Sequence, residues 1–179
     1  MHLDLLGRDV KEFPSVDRPS TVITAKLWNC PFDASPVARF ENLQGLEIFS
    51  LRDASREFLV GLKMLSYLYV IHLPKVSSLD GLCELPALEV LRLHTLPSWD
   101  SSGKRTVVPS IKPIARLPSL RHLELFSVVP VDRSLAPLEA STMLMTARFQ
   151  GFPKQEVSRF QAVTGLPDTY APLPDWASP

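Results

Sequence analysis

Leu85-Pro86-Ala87-Leu88-Glu89-Val90-Leu91-Arg92-Leu93-His94-Thr95-Leu96 sets apolar residues at Leu88, Leu91, Leu93 and Leu96, at offsets of 0, 3, 5 and 8. The alternation in Leu91-Arg92-Leu93 has the period of two that a strand with one buried face requires. The same offsets recur outward from this stretch. Upstream stand Leu65, Leu68, Val70, Leu73 and then Leu43, Leu46, Ile48, Leu51; downstream stand Leu120, Leu123, Leu125, Val128. Weaker copies flank these, as Val22, Ala25, Leu27, Cys30 and as Leu144, Ala147, Phe149, Phe152. First positions are separated by 21, 22, 23, 32 and 24 residues, so a period near 22 holds except at one insertion. A period of this size marks a solenoid: one unit cannot bury its own apolar face, and stacked units share a continuous core.

Ahead of each strand core, apolar residues recur at every third position: Val37, Phe40, Leu43; Leu59, Leu62, Leu65; Leu79, Leu82, Leu85, Leu88; Ile111, Ile114, Leu117, Leu120. Such spacing suits a 3-10 or short helical turn, whose side chains eclipse on one face. Each unit is therefore expected to be a short strand with a tight return segment. Leu3, Leu5, Leu6, Val10 and Phe13 are expected to cap the amino end. Pro153 is expected to open a helix running to about Thr164, with Val157, Phe160 and Val163 on one face and Gly165 as its stop. Beyond it, residues 166–179 carry Pro167, Pro172, Pro174 and Pro179; they read either as an extended strap packed by Tyr170 and Trp176 or as a disordered end.

The phrases Leu85-Pro86-Ala87-Leu88-Glu89-Val90-Leu91-Arg92-Leu93 and Leu117-Pro118-Ser119-Leu120-Arg121-His122-Leu123-Glu124-Leu125 resemble the leucine-rich-repeat family, in its bacterial class of about 22 residues per turn. The resemblance covers about residues 20–152. It implies an α/β solenoid with about six parallel strands on a concave face, 3-10 or short helical return segments and a C-terminal capping helix. A single domain over residues 1–179 is expected: residues 1–19 as cap, 20–152 as repeats, 153–179 as helix and tail. The family usually places asparagine or cysteine at the ninth repeat position, where it hydrogen-bonds the turning backbone. Here only Cys30 matches; Leu51, Leu73, Leu96, Val128 and Phe152 fill the others, so the turns must satisfy their backbone groups another way.

Composition narrows the function. At 179 residues, 45% hydrophobic and 21% charged, the chain has ordinary globular content. Lysine plus arginine and aspartate plus glutamate balance at 19 each, leaving no excess positive field for phosphate backbones or anionic lipid. Neither nucleic acid nor membrane is expected as a partner. The opening Met1-His2-Leu3-Asp4-Leu5-Leu6-Gly7-Arg8-Asp9 reaches charged residues before any stretch long enough for a signal peptide or membrane span, so a cytoplasmic location is expected. Cys30 and Cys83 sit in no metal-ligand spacing and are read as reduced core residues, with a bridge or a reactive thiol as the alternatives.

Stacking the copies in register lays the intervening side chains on a shared concave wall, with lateral neighbours about 4.8 Å apart. The third-position row reads Thr24, Gly45, Tyr67, Val90, His122, Thr146. The fifth reads Lys26, Glu47, Tyr69, Arg92, Glu124, Arg148, and the seventh Trp28, Phe49, Ile71, His94, Phe126, Gln150. Large apolar side chains where the repeat points outward are unusual, and rigid aromatics dominate interface hot spots. Trp28, Phe49, Tyr67, Tyr69, Ile71, Arg92, His94, His122, Glu124, Phe126 and Arg148 are therefore the candidate partner-binding residues. The alternative is that a tightly curved sheet packs these side chains against one another, or that the amino-terminal segment covers them. For the charges in the fifth row, a solvated salt ladder stands against Arg92 and Arg148 as anchors for an acidic partner.

The insertion, residues 97–109, is polar and contains glycine, as a surface loop does. Trp99, Lys104 and Arg105 are candidate loop contacts to a partner, unless the loop has no role. No HExxH, CxxC, GxSxG, P-loop or dinucleotide fingerprint is present. His94 and His122 fall on adjacent strands on the order of 13 Å apart, too far to share a zinc ion. No metal, cofactor or catalytic residue is expected. The reading is a monomeric, non-enzymatic module that binds a partner protein, by analogy an inhibitor or immunity protein. The rivals are a structural or self-assembling repeat protein and, less favoured, an accessory to an effector enzyme.

Overall fold

A computed structural model describes residues 1–50, 57–73, 76 and 78–177. Seven strands form one parallel sheet in the order β1 (His2–Leu6), β2 (Thr24–Trp28), β3 (Gly45–Phe49), β4 (Tyr67–Ile71), β5 (Val90–His94), β7 (His122–Phe126) and β9 (Thr146–Gln150). Between them lie 3-10 turns at Pro19–Thr21, Ser35–Arg39, Glu57–Leu59, Asp80–Glu84 and Ala136–Ala140. The turn ahead of β7 is instead a single α-helical turn, α2 (Lys112–Ala115), opened by Pro113 near its start.

The register follows the sequence offsets. Leu46, Leu68, Leu91 and Leu123 are Cα partners across successive strands, as are Ile48, Val70, Leu93 and Leu125. All are buried, together with the turn residues Leu43, Leu65, Leu88 and Leu120. Each such leucine contributes about 1.5–3 kcal/mol over its exposed state, and none could do so without the repeat stacked on it.

The sheet holds one strand more than the six the offsets reveal. His2 to Leu6 pairs in register with β2, and Leu5 buries itself beside Leu27. The signal is weak because Arg8 stands five places after Leu3, where the other copies have an apolar residue. Farther along, Phe13 packs against Phe32 and Phe40 at 5.5 and 6.0 Å.

The turns satisfy their backbone one position before the expected asparagine. Asn29, Ser50, His72, Thr95 and Ser127, at the eighth repeat position, each donate their backbone N–H to the seventh-position carbonyl of the next unit, over 2.7–3.0 Å. Gly7 does the same toward Trp28. Asn29, Ser50, His72, Ser127 and Gly151 adopt left-handed φ of 52° to 82° there. Thr95 does not, as befits a β-branched residue, and the insertion follows it. Of the ninth-position residues, Cys30, Leu73, Val128 and Phe152 are buried and Leu96 is half-buried, whereas Leu51 lies outside the described residues.

The insertion is not a plain loop. It forms a short helix, α1 (Pro97–Ser101), and a strand, β6 (Thr106–Val108), which pairs in parallel with β8 (Val128–Pro130) just past β7. Helix α3 (Lys154–Thr164) closes the carboxyl end and stops at Gly165, whose φ of 68° suits a residue without a Cβ. Phe160 is fully buried against Phe149 at 5.3 Å, but Val163 is 59% exposed. Six residues past Val157 is about one and two-thirds turns, which carries Val163 off the buried face.

Cys30 is buried, with its thiol donating to the Leu5 carbonyl. Cys83, expected in the core, is exposed. The buried positions of its turn are Leu79, Leu82 and Leu85, so the residue after Leu82 turns outward.

Candidate functional site

Parallel pairing brings the three outward rows together on the concave wall as the offsets require. What decides their accessibility is the carboxyl tail. Residues 166–177 leave α3 and cross the wall from β9 toward β3. The Ala147 N–H donates to the Pro167 carbonyl, Arg148 Nη1 donates to the Asp168 carbonyl, and the Ala171 N–H donates to Glu124 Oε1 over 2.7 Å. Tyr170 lies over the Arg148 guanidinium at 4.1 Å, with its edge toward Phe126. At the far end the Trp176 ring fills the space a side chain at Gly45 would take and meets Tyr67 edge-on at 5.3 Å. The strap reading of the tail is thus the one the structure shows, and the cover over the wall is the carboxyl segment rather than the amino-terminal one.

Glu124, on β7, is the centre of the covered half and is 0% exposed. Its lateral partner Arg92 donates through Nε to Oε2 at 2.9 Å, and His94, one diagonal away, shares Oε2 at 2.8 Å. Arg92 also donates to the Tyr67 hydroxyl at 3.1 Å and stacks over the Tyr69 ring at 4.1 Å. The Tyr69 hydroxyl lies 3.0 Å from His94 Nδ1. With Nε2–H of His94 donating to the carboxylate, Nδ1 accepts from Tyr69. This is not a solvated ladder. Burial by itself would raise the Glu124 pKa, but hydrogen bonds from His94 and the Ala171 amide, with the Arg92 charge, outweigh it and hold the carboxyl below its ordinary value. Burial pushes the Tyr67 hydroxyl up to about 12, keeping it protonated as an acceptor for Arg92. Tyr69 is likewise raised by burial.

Arg148 turns away from the fifth-row pattern. It faces Asp168 of the tail at 3.5 Å, and its Nε is buried without a hydrogen-bond partner. His122 is half-buried, with Nδ1 at 2.9 Å from the Thr146 hydroxyl, and desolvation with the nearby Arg121 charge lowers its pKa. Phe126 stacks on His94 at 4.1 Å. Seven of the expected contact residues, Tyr67, Tyr69, Arg92, His94, Glu124, Phe126 and Arg148, are therefore engaged with one another or with the tail.

The other half of the wall is open. Trp28 is 47% exposed and stacks face to face on Phe49, with centroids 4.3 Å apart and planes 11° apart. Beside them, Ile71, Tyr69, Lys26 and Glu47 border a shallow cleft. Lys26 and Glu47 are 3.6 Å apart, and Glu47 is raised by burial, with Lys26 opposing the shift.

In the insertion, Trp99 packs edge-on against His72 at 5.1 Å. Lys104 is exposed and lies 6.0 Å from the Trp99 ring. Arg105 is turned inward and donates to the Gly151 carbonyl at 2.9 Å, which pins the insertion to the turn after β9. Sequence reasoning missed Ala171, whose contribution is a backbone amide, and the diagonal pairing of His94 with Glu124. The second was legible in principle from the register.

Among the described residues no group of three His, Cys, Asp or Glu side chains is arranged to hold a metal ion. No helix among them is long and apolar enough to cross a membrane.

No protein-family model matches this chain, and no curated protein matches it. Among solved structures, the crystal structure of an internalin C2 from Listeria monocytogenes is similar, with a TM-score of 0.55 and 24% identity over 73% of this chain. The match takes in 53% of the internalin chain, so the likeness extends over about half of that protein. What it shares with this chain is the fold, a leucine-rich-repeat solenoid built on a parallel sheet.

Proposed function

We propose that this chain is a non-enzymatic, cytoplasmic binding module, of the bacterial 22-residue repeat class, that docks a partner protein on the concave wall. The observation that carries the reading is the Trp28–Phe49 stack. It is a preformed aromatic ledge, half exposed on a wall where Tyr67 is buried. Stacked rings have already lost their rotor freedom, so a partner that covers them gains apolar burial at little ordering cost. Ile71 and Tyr69 extend the ledge, the Lys26–Glu47 pair offers both charges at its border, and Trp99 packs on His72, the residue after Ile71. A rigid surface of this kind suits an inhibitor or immunity role, in which the module occludes another enzyme, and that is the specific form proposed.

The test is capture of the partner followed by hydroxyl-radical footprinting of the complex. Protection of Trp28 and Phe49, and loss of capture with Trp28→Ala plus Phe49→Ala, support the reading. Undiminished capture with an unchanged footprint at both residues overturns it. These two are chosen over Tyr69 and Phe126 because the Tyr69 hydroxyl bonds His94 and the Phe126 ring stacks on it, inside the Glu124 network.

Self-assembly is favoured by one observation: the outer edge of β1 has no strand partner among the described residues. Sedimentation of the chain alone separates this from the first reading, since edge pairing gives dimers or longer species and the module reading gives a monomer.

A further inference from the structure

We infer that residues 166–177 are a ligand bound in cis. They sit in a groove of the concave wall that takes an extended, proline-punctuated segment of a partner protein bearing two aromatic side chains. The inference rests on the protein-binding reading above and supplies the chemistry of the partner's docking element.

The segment crosses without joining the sheet. Residues 165–174 carry neither helix nor strand. From β9 to β3 there are four strand intervals, about 19 Å in all. The nine residue steps from Pro167 to Trp176 reach about 28 Å as a polyproline-type coil, so the crossing is made with slack. Pro167, Pro172 and Pro174 hold the segment extended before it binds, which lowers the entropy lost on seating.

The groove reads the segment's backbone through three hydrogen bonds, and in the one at Glu124 the segment donates an N–H. Glu124 Oε1 accepts the Ala171 N–H, while Oε2 is saturated by Arg92 and His94. Any residue but proline can supply that amide. Selectivity comes from the ends, where Tyr170 caps the Arg148 guanidinium and Trp176 fills the space over Gly45 against Tyr67.

The hold is light. Three hydrogen bonds among the described residues tie the segment to the wall. Tyr170 is 61% exposed and Leu173 is 51% exposed, so both leave much of their apolar surface in water. Beneath it lie a buried carboxylate, two arginines and an Arg148 Nε without a partner, where a permanent core layer would carry apolar side chains. The groove reaches the strand that carries the open ledge, since Trp176 sits on Gly45 at one end of β3 and Phe49 lies at the other.

The probe is a synthetic peptide with the sequence of residues 166–177, Leu-Pro-Asp-Thr-Tyr-Ala-Pro-Leu-Pro-Asp-Trp-Ala, titrated into the full chain and into a full chain carrying Tyr170→Ala and Trp176→Ala. A tethered segment competes at an effective concentration on the order of millimolar, so the unmodified chain should bind the peptide at least about 10-fold more weakly than the variant. A peptide with alanine at its two aromatic positions should lose that gain. Equal binding to both chains, no binding to the folded variant, or equal binding of the alanine peptide overturns the inference. Should the variant fail to fold, hydrogen exchange of the unmodified chain decides. The Ala171 amide exchanging at least about 100-fold faster than the Leu91 and Leu123 amides supports a displaceable segment, and exchange only with global unfolding refutes it. A partner footprint that persists on Trp28 and Phe49 while the peptide fails removes this inference and leaves the proposed function standing.

Discussion

The backbone N–H of Ala171 donates to Oε1 of Glu124 over 2.7 Å, joining a residue of the carboxyl tail to a fully buried carboxylate 47 positions earlier in the chain. The carboxylate's other oxygen takes Arg92 and His94. One side chain thus organises both the charge on the wall and the segment that covers it.

Glu124→Gln keeps the shape and removes the charge, leaving the Arg92 guanidinium buried without its counter-ion. The expected loss is about 3 kcal/mol, within the range for breaking one partner of a buried pair. Urea denaturation of the two proteins measures it. A loss within about 0.5 kcal/mol means that water reaches Arg92.

Acid should weaken the fold in two steps. The pKa values of His72 and His122 are lowered by burial, with Arg121 adding to the effect at His122. The unfolded chain therefore binds more protons than the native one below about pH 6.5, and stability falls with pH. The Glu124 carboxyl is also lowered, so its contribution is complete above the ordinary value of 4.5 and is lost as pH falls through the native value. Glu47, which is raised, works in the opposite sense and blunts the second step. Melting temperature against pH should show both steps, and the Glu124→Gln variant should show a smaller second one.

Gly45→Ala sets a Cβ 2.0 Å from the Trp176 ring. The ring must leave, at a cost of about 1–3 kcal/mol from overpacking. With Trp176→Ala in place the same substitution should be nearly neutral, and the double-mutant cycle reads the coupling. Costs that simply add would mean that Trp176 does not rest on Gly45.

At the eighth repeat position, Ser50 holds φ at 70°. Ser50→Gly should stabilise the chain by about 0.5–1 kcal/mol and Ser50→Val should destabilise it by about 1–2 kcal/mol, because only the first relieves the left-handed backbone. Thermal denaturation of the pair checks the order, and a reversed order would argue that the hydroxyl matters more than the backbone.

Cys83 is exposed and Cys30 is buried. A thiol reagent should label one cysteine in the native chain and two after denaturation. Two fast labels in the native state would mean that the turn after β2 opens readily.

Much of the fold was legible because its determinants are local and repeated. Offsets of 3, 5 and 8 place Leu88, Leu91, Leu93 and Leu96 relative to one another, and stacking forces each copy onto the next in register. Strand β1 escaped because Arg8 breaks its copy of the pattern, and Cys83 and Val163 were misplaced by one step on their turns. The turn ladder could not be read from side chains, because Asn29, Ser50, His72 and Ser127 share only a backbone conformation and an N–H.

By itself the sequence determined which side chains face the concave wall, since alternation along a strand is a property of adjacent residues. Only the tertiary structure decided which of them meet solvent. Trp28 and Phe49 stay open while Tyr67, Glu124 and Arg148 are covered, because Tyr170, Ala171 and Trp176 return across the wall from the far end of the chain. Long-range burial of that kind depends on where a remote segment gains its few contacts, and no spacing within a repeat encodes it.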